Sequence, residues 1–354
     1  MASDDELSAT TLDNLLPEAA TELGHDERGR FRTICLSTSL SWEELLTRFK
    51  GYFTETQQGD FHQLHTTYEK LNKELQVYLY LFQHPDTGAP IIFTLNSYDD
   101  FRRTSKRIIE RTEDLYTLWI RPEEMAALRE EVLDHEGIRL RGFDYDTFGK
   151  DERKGQRRPG YERSGSHDSE DAEHVLEEWK LEYGISPTQL RFDLPTRGEF
   201  HFSNDGEFVL TEGDTRFLYE EVVEPALREA YPLSETVQSS EIKTTTEDGI
   251  EQIEERPLEM KITDRLDYDD VDNFVSAMKE ADFYPYSYQE APGSLLLSGR
   301  IMDEQNGGMI SVATDGETMT ILPRYESGFD SLMRFYRFIV EQIDPETSIE
   351  LAEA

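Results

Sequence analysis

The chain has 354 residues, 75 of them acidic and 36 basic, giving a formal charge of −39. Its length allows two or three compact domains, and its 19 Phe and 17 Tyr exclude a chain too polar to build a core. The lone cysteine, Cys35, excludes an intramolecular disulfide and any Cys-based metal site, and the longest apolar run, Val77–Phe82, falls short of the roughly 20 residues of a membrane span.

The acids are spread along the whole sequence, and arginine outnumbers lysine 26 to 10. Such a surface stays hydrated in molar salt, where self-repulsion is screened, so the composition is that of a halophilic, acidic protein. The first residues, MASDDELSATTLDNLL, are acidic where a signal peptide is basic. A cytoplasmic protein with no membrane partner is expected.

Residues 1–30 hold eight acids and an apolar cluster, Leu12, Leu15, Leu16 and Leu23, interrupted by Pro17; they are expected to be a mobile acidic tail. From residue 31 the pattern is regular. Thr33 to Leu36 reads as a strand, and Ser41 caps a helix with Glu44 at the capping-box position and Trp42, Leu45, Leu46, Phe49 and Phe53 at helical spacing. Phe61 to Tyr68, Glu74 to Phe82 and Pro90 to Leu95 read as strands, the last two joined at His84-Pro85-Asp86-Thr87-Gly88, and Ser97 caps a second helix.

The same order restarts at residue 114. Leu115 to Ile120 is a strand, Pro122 opens a helix, and Ile138 to Tyr145 is a strand. After an irregular insertion at 148–184 come the strands Gln189–Leu194, Glu199–Phe202 and Glu207–Leu210, the last two joined at Asn204-Asp205-Gly206, and then a helix capped by Asp214. An acidic, Thr-rich linker at 233–256 precedes a third copy at 257–345, with a first strand at Leu258–Ile262, a helix over Asp267–Ala281, four further strands and a closing helix, and 346–354 is a short tail.

The expectation is therefore an α+β protein of about three tandem β-α-β(3-4)-α units, 31–113, 114–232 and 257–345, with antiparallel sheets and helices on one face. The second unit matches the others in length once its insertion is subtracted. This order of elements is similar to that of the TATA-binding-protein fold. The likeness is one of topology, carried by no motif, and brings no function with it.

The insertion departs most from its surroundings. Gly149 to His167 carries Lys150, Arg153, Lys154, Arg157, Arg158 and Arg163 against three acids. A flexible Arg-rich segment offers bidentate donors to phosphate, and Tyr161 adds a ring that can stack on a base; an exposed loop paired with the protein's own acidic surface has the same composition. Beyond it, Glu170 and His174 stand at i, i+4 ahead of a helix over Val175–Tyr183, and Asp144 and Asp146 share one side of a strand. These four are the candidate metal ligands, although an acidic helix start is equally what the helix dipole favours.

No nucleotide-binding or nucleophile-elbow motif is present. Cys35 reads as a small core residue, His62 and His65 face opposite ways, and His201, between Phe200 and Phe202, points to solvent. Tyr284-Pro285-Tyr286-Ser287-Tyr288 and Phe335-Tyr336 read either as a binding face or as half-buried structure. The expected function is that of a non-enzymatic binding or regulatory protein, without cofactor or catalytic residue. Its partner would be nucleic acid or another anionic molecule at 149–167. A metal-dependent hydrolase or nuclease and a protein-interaction scaffold are the alternatives.

Overall fold

The computed structural model describes residues 6–25, 30–70, 73–147, 164–194, 198–240, 243–247, 250–254, 256–263, 266, 271–290, 297–324 and 328–352. The chain is α+β with antiparallel pairing throughout, and its described residues fall into two compact units that meet in sequence at Tyr231/Pro232.

Unit 1 begins with α1 (Leu12–His25), then β1 (Phe31–Thr38), α2 (Trp42–Lys50), β2 (Thr54–Gln58), β3 (Phe61–Lys70), β4 (Lys73–Gln83) and β5 (Pro90–Thr94). A continuous helical stretch follows: α3 (Tyr98–Phe101), a π-helical turn at Arg102–Lys106, and α4 (Arg107–Ile109). Next come β6 (Leu115–Thr117), α5 (Pro122–Leu133), β7 (Arg139–Thr147), β8 (Ser164–Asp168), α6 (Ala172–Tyr183), β9 (Ile185–Leu194), β10 (Gly198–Ser203) and β11 (Glu207–Gly213). The unit closes with α7 (Thr215–Leu218), a π-helical turn at Tyr219–Val223 and α8 (Glu224–Gln238), within which the unit boundary falls.

The helix starts follow the local chemistry. Ser41 and Glu44 form a reciprocal capping box, Ser97 accepts from the Asp100 amide, Pro122 stands at the first turn of α5, and the Asp214 carboxylate accepts from the amides of Arg216 and Phe217.

Among the described residues β1–β11 form one sheet in the order β2-β3-β4-β5-β1-β11-β10-β9-β7-β8, with β6 also paired to β1. Residues 31–113 and 114–232 thus share a single sheet, joined where β1 pairs with both β5 and β11. All eight residues of β1 are buried, as its central place requires. The β10–β11 turn is clamped against β1 and β6: Cys35 N donates to Gly206 O at 2.9 Å and Leu118 N to Cys35 O at 2.8 Å. A Cβ on Gly206, at φ 64°, would meet the Leu118 carbonyl oxygen at 2.5 Å.

Two apolar layers cover this sheet unequally. One contains Phe31, Tyr80, Phe93, Phe192, Phe200, Phe208 and residues of α1, α5, α6 and α8. The other, built by Ile34, Leu36, Leu79, Leu81, Ile92, Leu45, Phe49 and Phe101, reaches only from β3 to β1. The run Val77–Phe82 is apolar at every position because its alternate side chains enter different layers. Helices on a single face therefore describe β7 to β11, whereas β1, β4 and β5 are buried on both faces.

The expected amino-terminal tail is instead part of the core. Leu15, Leu16, Ala19 and Leu23 of α1 are buried at helical spacing, Leu7 and Ala9 precede them, and the Leu7 amide bonds the Tyr80 hydroxyl. Pro17 removes one backbone donor, a smaller cost than the benefit of burying this stripe. The insertion likewise adds β8 and α6, which packs Ala172 and Leu176 into the same layer.

Unit 2 contains the hairpin β12 (Lys243–Glu247) and β13 (Ile250–Glu254), which occupies the expected linker. After it come β14 (Leu258–Lys261), α9 (Val271–Glu280), β15 (Phe283–Glu290), β16 (Leu297–Asp303), β17 (Met309–Thr314), β18 (Thr318–Pro323), α10 (Phe329–Gln342) and β19 (Ser348–Leu351). Its six-stranded sheet runs β15-β16-β17-β18-β14-β19, and α9 and α10 cover one face through Phe274, Phe335 and Phe338. The residues expected to form a carboxy-terminal tail supply its edge strand, because Ile349 and Leu351 alternate with exposed Ser348 and Glu350. No described helix is long and apolar enough to cross a membrane.

Candidate functional site

Where the second apolar layer of unit 1 stops, the sheet surface becomes polar. The register places a row of residues at one level across six strands. Arg32 of β1 lies opposite Val209 of β11, Val209 opposite His201 of β10, and His201 opposite Arg191 of β9. Arg191 in turn lies opposite Gly142 of β7, and Gly142 opposite Asp168 of β8. Strand spacing puts Arg32 and Arg191 about 14 Å apart along this row, with His201 between them. Arg32, His201 and Arg191 of this row floor a cleft of about 530 Å³ whose wall includes Arg30, Tyr98, Asp144, Ser203 and Glu207.

Arg32 is 2% exposed and ion-paired with Glu207. Its guanidinium lies 5.4 Å from the Tyr98 ring centroid and 5.3 Å from that of Phe101, so the first turns of the α3 stretch hold it in place. Burial, and next the nearby Arg30, lower its pKa to about 10. Arg191 is fixed by three bonds: Nη1 donates to Asp144 Oδ1 at 2.9 Å, and Nη2 to Ser166 Oγ at 3.0 Å and to the His167 carbonyl at 3.2 Å. Gly142 makes room for this arrangement, since a Cβ there would stand 2.6 Å from both Asp168 Oδ1 and the His167 carbonyl oxygen.

His201 faces away from Phe200 and Phe202 as expected, but into this cleft rather than open solvent. Burial pushes its pKa down to about 4, and Arg32, Arg30 and Arg191 push the same way against Asp144. In a chain of charge −39, three guanidiniums thus gather about this imidazole, although Asp144, Glu199, Asp205 and Glu207 line the same cleft. Arg32 Nε, Arg191 Nε and Ser203 Oγ are buried without a hydrogen-bond partner, which makes this cleft a place where polar groups wait for one.

Lys150, Arg153, Lys154, Arg157, Arg158 and Arg163 lie outside the described residues. Their anchors do not: the segment leaves from β7 and returns on β8, where Asp144 pairs with Ser166 and Asp146 with Ser164. Asp144 and Ser166 are the two side chains that grip Arg191, so the basic segment springs from the border of the cleft.

Of the four candidate metal ligands, Asp144 and Asp146 share a side of β7, with Asp144 committed to Arg191. α6 starts at Ala172 with Asp171 as its N-cap, so Glu170 precedes the helix that carries His174, because the chain turns at Ser169–Asp171. Among the described residues no three His, Cys, Asp or Glu side chains are grouped as a metal ion requires.

Cys35 is fully buried, and burial raises its thiol pKa far above the ordinary value. His62 bonds Glu55 at 2.5 Å on one side of β3, and His65 stacks on Tyr78. Phe335 and Tyr336 belong to the core, whereas Tyr284, Tyr286 and Tyr288 are exposed.

The chain is similar to an archaeal protein. An "Uncharacterized protein" of Archaeoglobus fulgidus is 24% identical over 284 residues, 75% of this chain and 76% of its own length. No protein-family model and no solved structure matches.

The residues that floor the cleft, Arg32, Arg191 and His201, are scattered over 170 positions and form no motif. The one signal available in sequence was the polar side of the strands: Arg191 alternates with Leu190 and Phe192, and His201 with Phe200 and Phe202.

Proposed function

We propose that this chain is a non-enzymatic binding or regulatory protein of a salt-adapted cytoplasm, which takes an anionic partner, nucleic acid, on the polar face of unit 1. The observation that carries this reading is the cleft itself, in which Arg30, Arg32 and Arg191 gather around His201 in a chain of charge −39. The 149–167 segment rooted at its border supports the same reading, with Arg153, Arg157 and Arg158 reaching phosphates and the cleft fixing the register. Molar salt screens charges beyond about 3 Å, so contacts of this kind must be close and partly dry to persist there. Buried Arg32 satisfies that condition.

The test is fluorescence anisotropy of a labelled single-stranded oligonucleotide in molar KCl, with the intact chain and with the Arg153→Ala/Arg157→Ala/Arg158→Ala variant. The variant is expected to bind at least about tenfold more weakly and to show a shallower salt dependence. Equal retention by both proteins would overturn the proposal.

A further inference from the structure

The cleft of unit 1 differs from a general anionic surface in three respects. Its volume of about 530 Å³ lies in the range of roughly 300–1,000 Å³ typical of small-ligand sites, enough for one nucleotide unit. Its wall carries an aromatic ring, Tyr98, which is 44% exposed although Arg32 lies against it. Its cations are matched with one exception, and Glu199 and Asp205 line it as well. Arg32 is paired with Glu207, Arg191 with Asp144, and Lys106 lies 4.0 Å from Glu110. Among the described residues, Arg30 alone of the cleft's cations has no carboxylate within ion-pair distance.

The floor adds polar groups without partners. Arg32 Nε belongs to a side chain that is 2% exposed, and Ser203 Oγ also has no hydrogen-bond partner, whereas Arg191 Nε lies 3.8 Å from Asp168 Oδ2. Bare phosphate would use the cationic side and leave Tyr98 idle, and a bare aromatic molecule would leave Arg30 and the floor unsatisfied. A nucleoside phosphate uses both, since it has a flat base to stack on a ring and an anion to meet a guanidinium.

We infer that this cleft is a subsite for one nucleoside phosphate unit, its base against the open side of Tyr98 and its phosphate beside Arg30 above His201. The inference rests on the anion-binding reading and narrows it to a ligand class. The unit has two possible sources, a free nucleotide or one residue of a strand.

The experiment measures binding of AMP, adenosine, inorganic phosphate and a short single-stranded adenylate oligomer to the full chain in molar KCl by calorimetry. The proteins are the wild type, Tyr98→Leu, Tyr98→Phe, Arg30→Gln and the triple arginine variant of the 149–167 segment, each checked for an unchanged melting transition. AMP is expected to bind once per chain and at least about tenfold more tightly than either adenosine or phosphate. Tyr98→Leu should weaken AMP at least about fivefold while Tyr98→Phe retains it, as ring stacking requires. Arg30→Gln should weaken AMP and leave adenosine unchanged.

An oligomer that binds tightly where AMP does not, yet remains sensitive to Tyr98→Leu, assigns the subsite to a strand; the converse assigns it to a free nucleotide. The inference is overturned if Tyr98→Leu leaves both ligands unaffected, or if phosphate binds as tightly as AMP. Loss of oligomer binding in the triple variant with AMP unchanged keeps the two sites separate. An unaffected oligomer together with Tyr98-dependent AMP binding removes the role of the basic segment and leaves the subsite standing.

Discussion

Replacing His201 by Gln isolates the electrostatics of the cleft in a single measurable difference. The folded imidazole has its pKa pushed down to about 4 from an ordinary 6.5, by burial first and then by Arg32, Arg30 and Arg191, with Asp144 opposing. Glu207 and Glu199 also line the cleft but are held by Arg32 and Arg141. Between these two pKa values the unfolded chain binds more protons than the folded one, so this histidine makes stability rise with pH. Its contribution is complete above about pH 7 and is lost as the pH falls from 6.5 to 4, to a total of at most about 3 kcal/mol. Gln cannot take up a proton, so the variant should not suffer that loss. Urea unfolding of both proteins between pH 7.5 and 4 in molar KCl reads the difference directly, since the titration of the many carboxylates is common to both. The two stability curves should converge or cross as the medium is acidified, with the variant gaining on the wild type by up to about 3 kcal/mol. Curves that remain parallel would refute the burial of His201 among these guanidiniums, and a histidine NMR titration with an ordinary midpoint would do so independently.

Gly142→Ala should cost about 1–3 kcal/mol, because its new Cβ would press on the His167 backbone oxygen at 2.6 Å and crowd Arg191 Nη2 at 3.0 Å. Guanidinium unfolding measures it, and a change within about 0.5 kcal/mol would show that β7 and β8 are not packed as described. Leu15→Ala, at a fully buried position of α1, should cost about 2–5 kcal/mol. A negligible effect in the same assay would return residues 1–25 to the status of a tail.

Legibility in the sequence followed burial. The β4–β5 hairpin, the capping box at Ser41 and Glu44, and the turn at Asn204-Asp205-Gly206 were readable because apolar alternation and cap chemistry are local. Edge strands were not. β2, Thr-Glu-Thr-Gln-Gln, contains no apolar residue and exists because β3 offers an unpaired edge; β8, Ser-Gly-Ser-His-Asp, depends in the same way on β7. α1 was obscured by its acids and Pro17, although Leu12, Leu15, Leu16 and Leu23 carried the right spacing. The cleft was the least legible feature, because Arg32, His201 and Arg191 meet only through pairings between strands far apart in sequence.

That origin also explains how a chain of charge −39 can gather Arg30, Arg32 and Arg191 in one cleft. Surface charge acts through solvent, and in molar salt its field dies within about 3 Å, so the acidic exterior neither steers nor repels at a distance. What remains effective is charge placed where water and ions do not reach. Arg32 is enclosed by Glu207, Tyr98 and Phe101, and Arg191 by Asp144, Ser166 and the His167 carbonyl. Each guanidinium is neutralised enough to be buried, yet Arg32 keeps an Nε without a hydrogen-bond partner, while Arg191 Nε lies 3.8 Å from Asp168 Oδ2. A site built this way should lose little affinity as salt rises, whereas contacts made by the exposed basic segment should follow the steep counterion dependence of an open surface. Binding of a mononucleotide and of an oligomer, measured against KCl concentration, should therefore give two different slopes. Two equal, steep slopes would mean that the cleft is wetted by salt and that its buried arginines play no part in recognition.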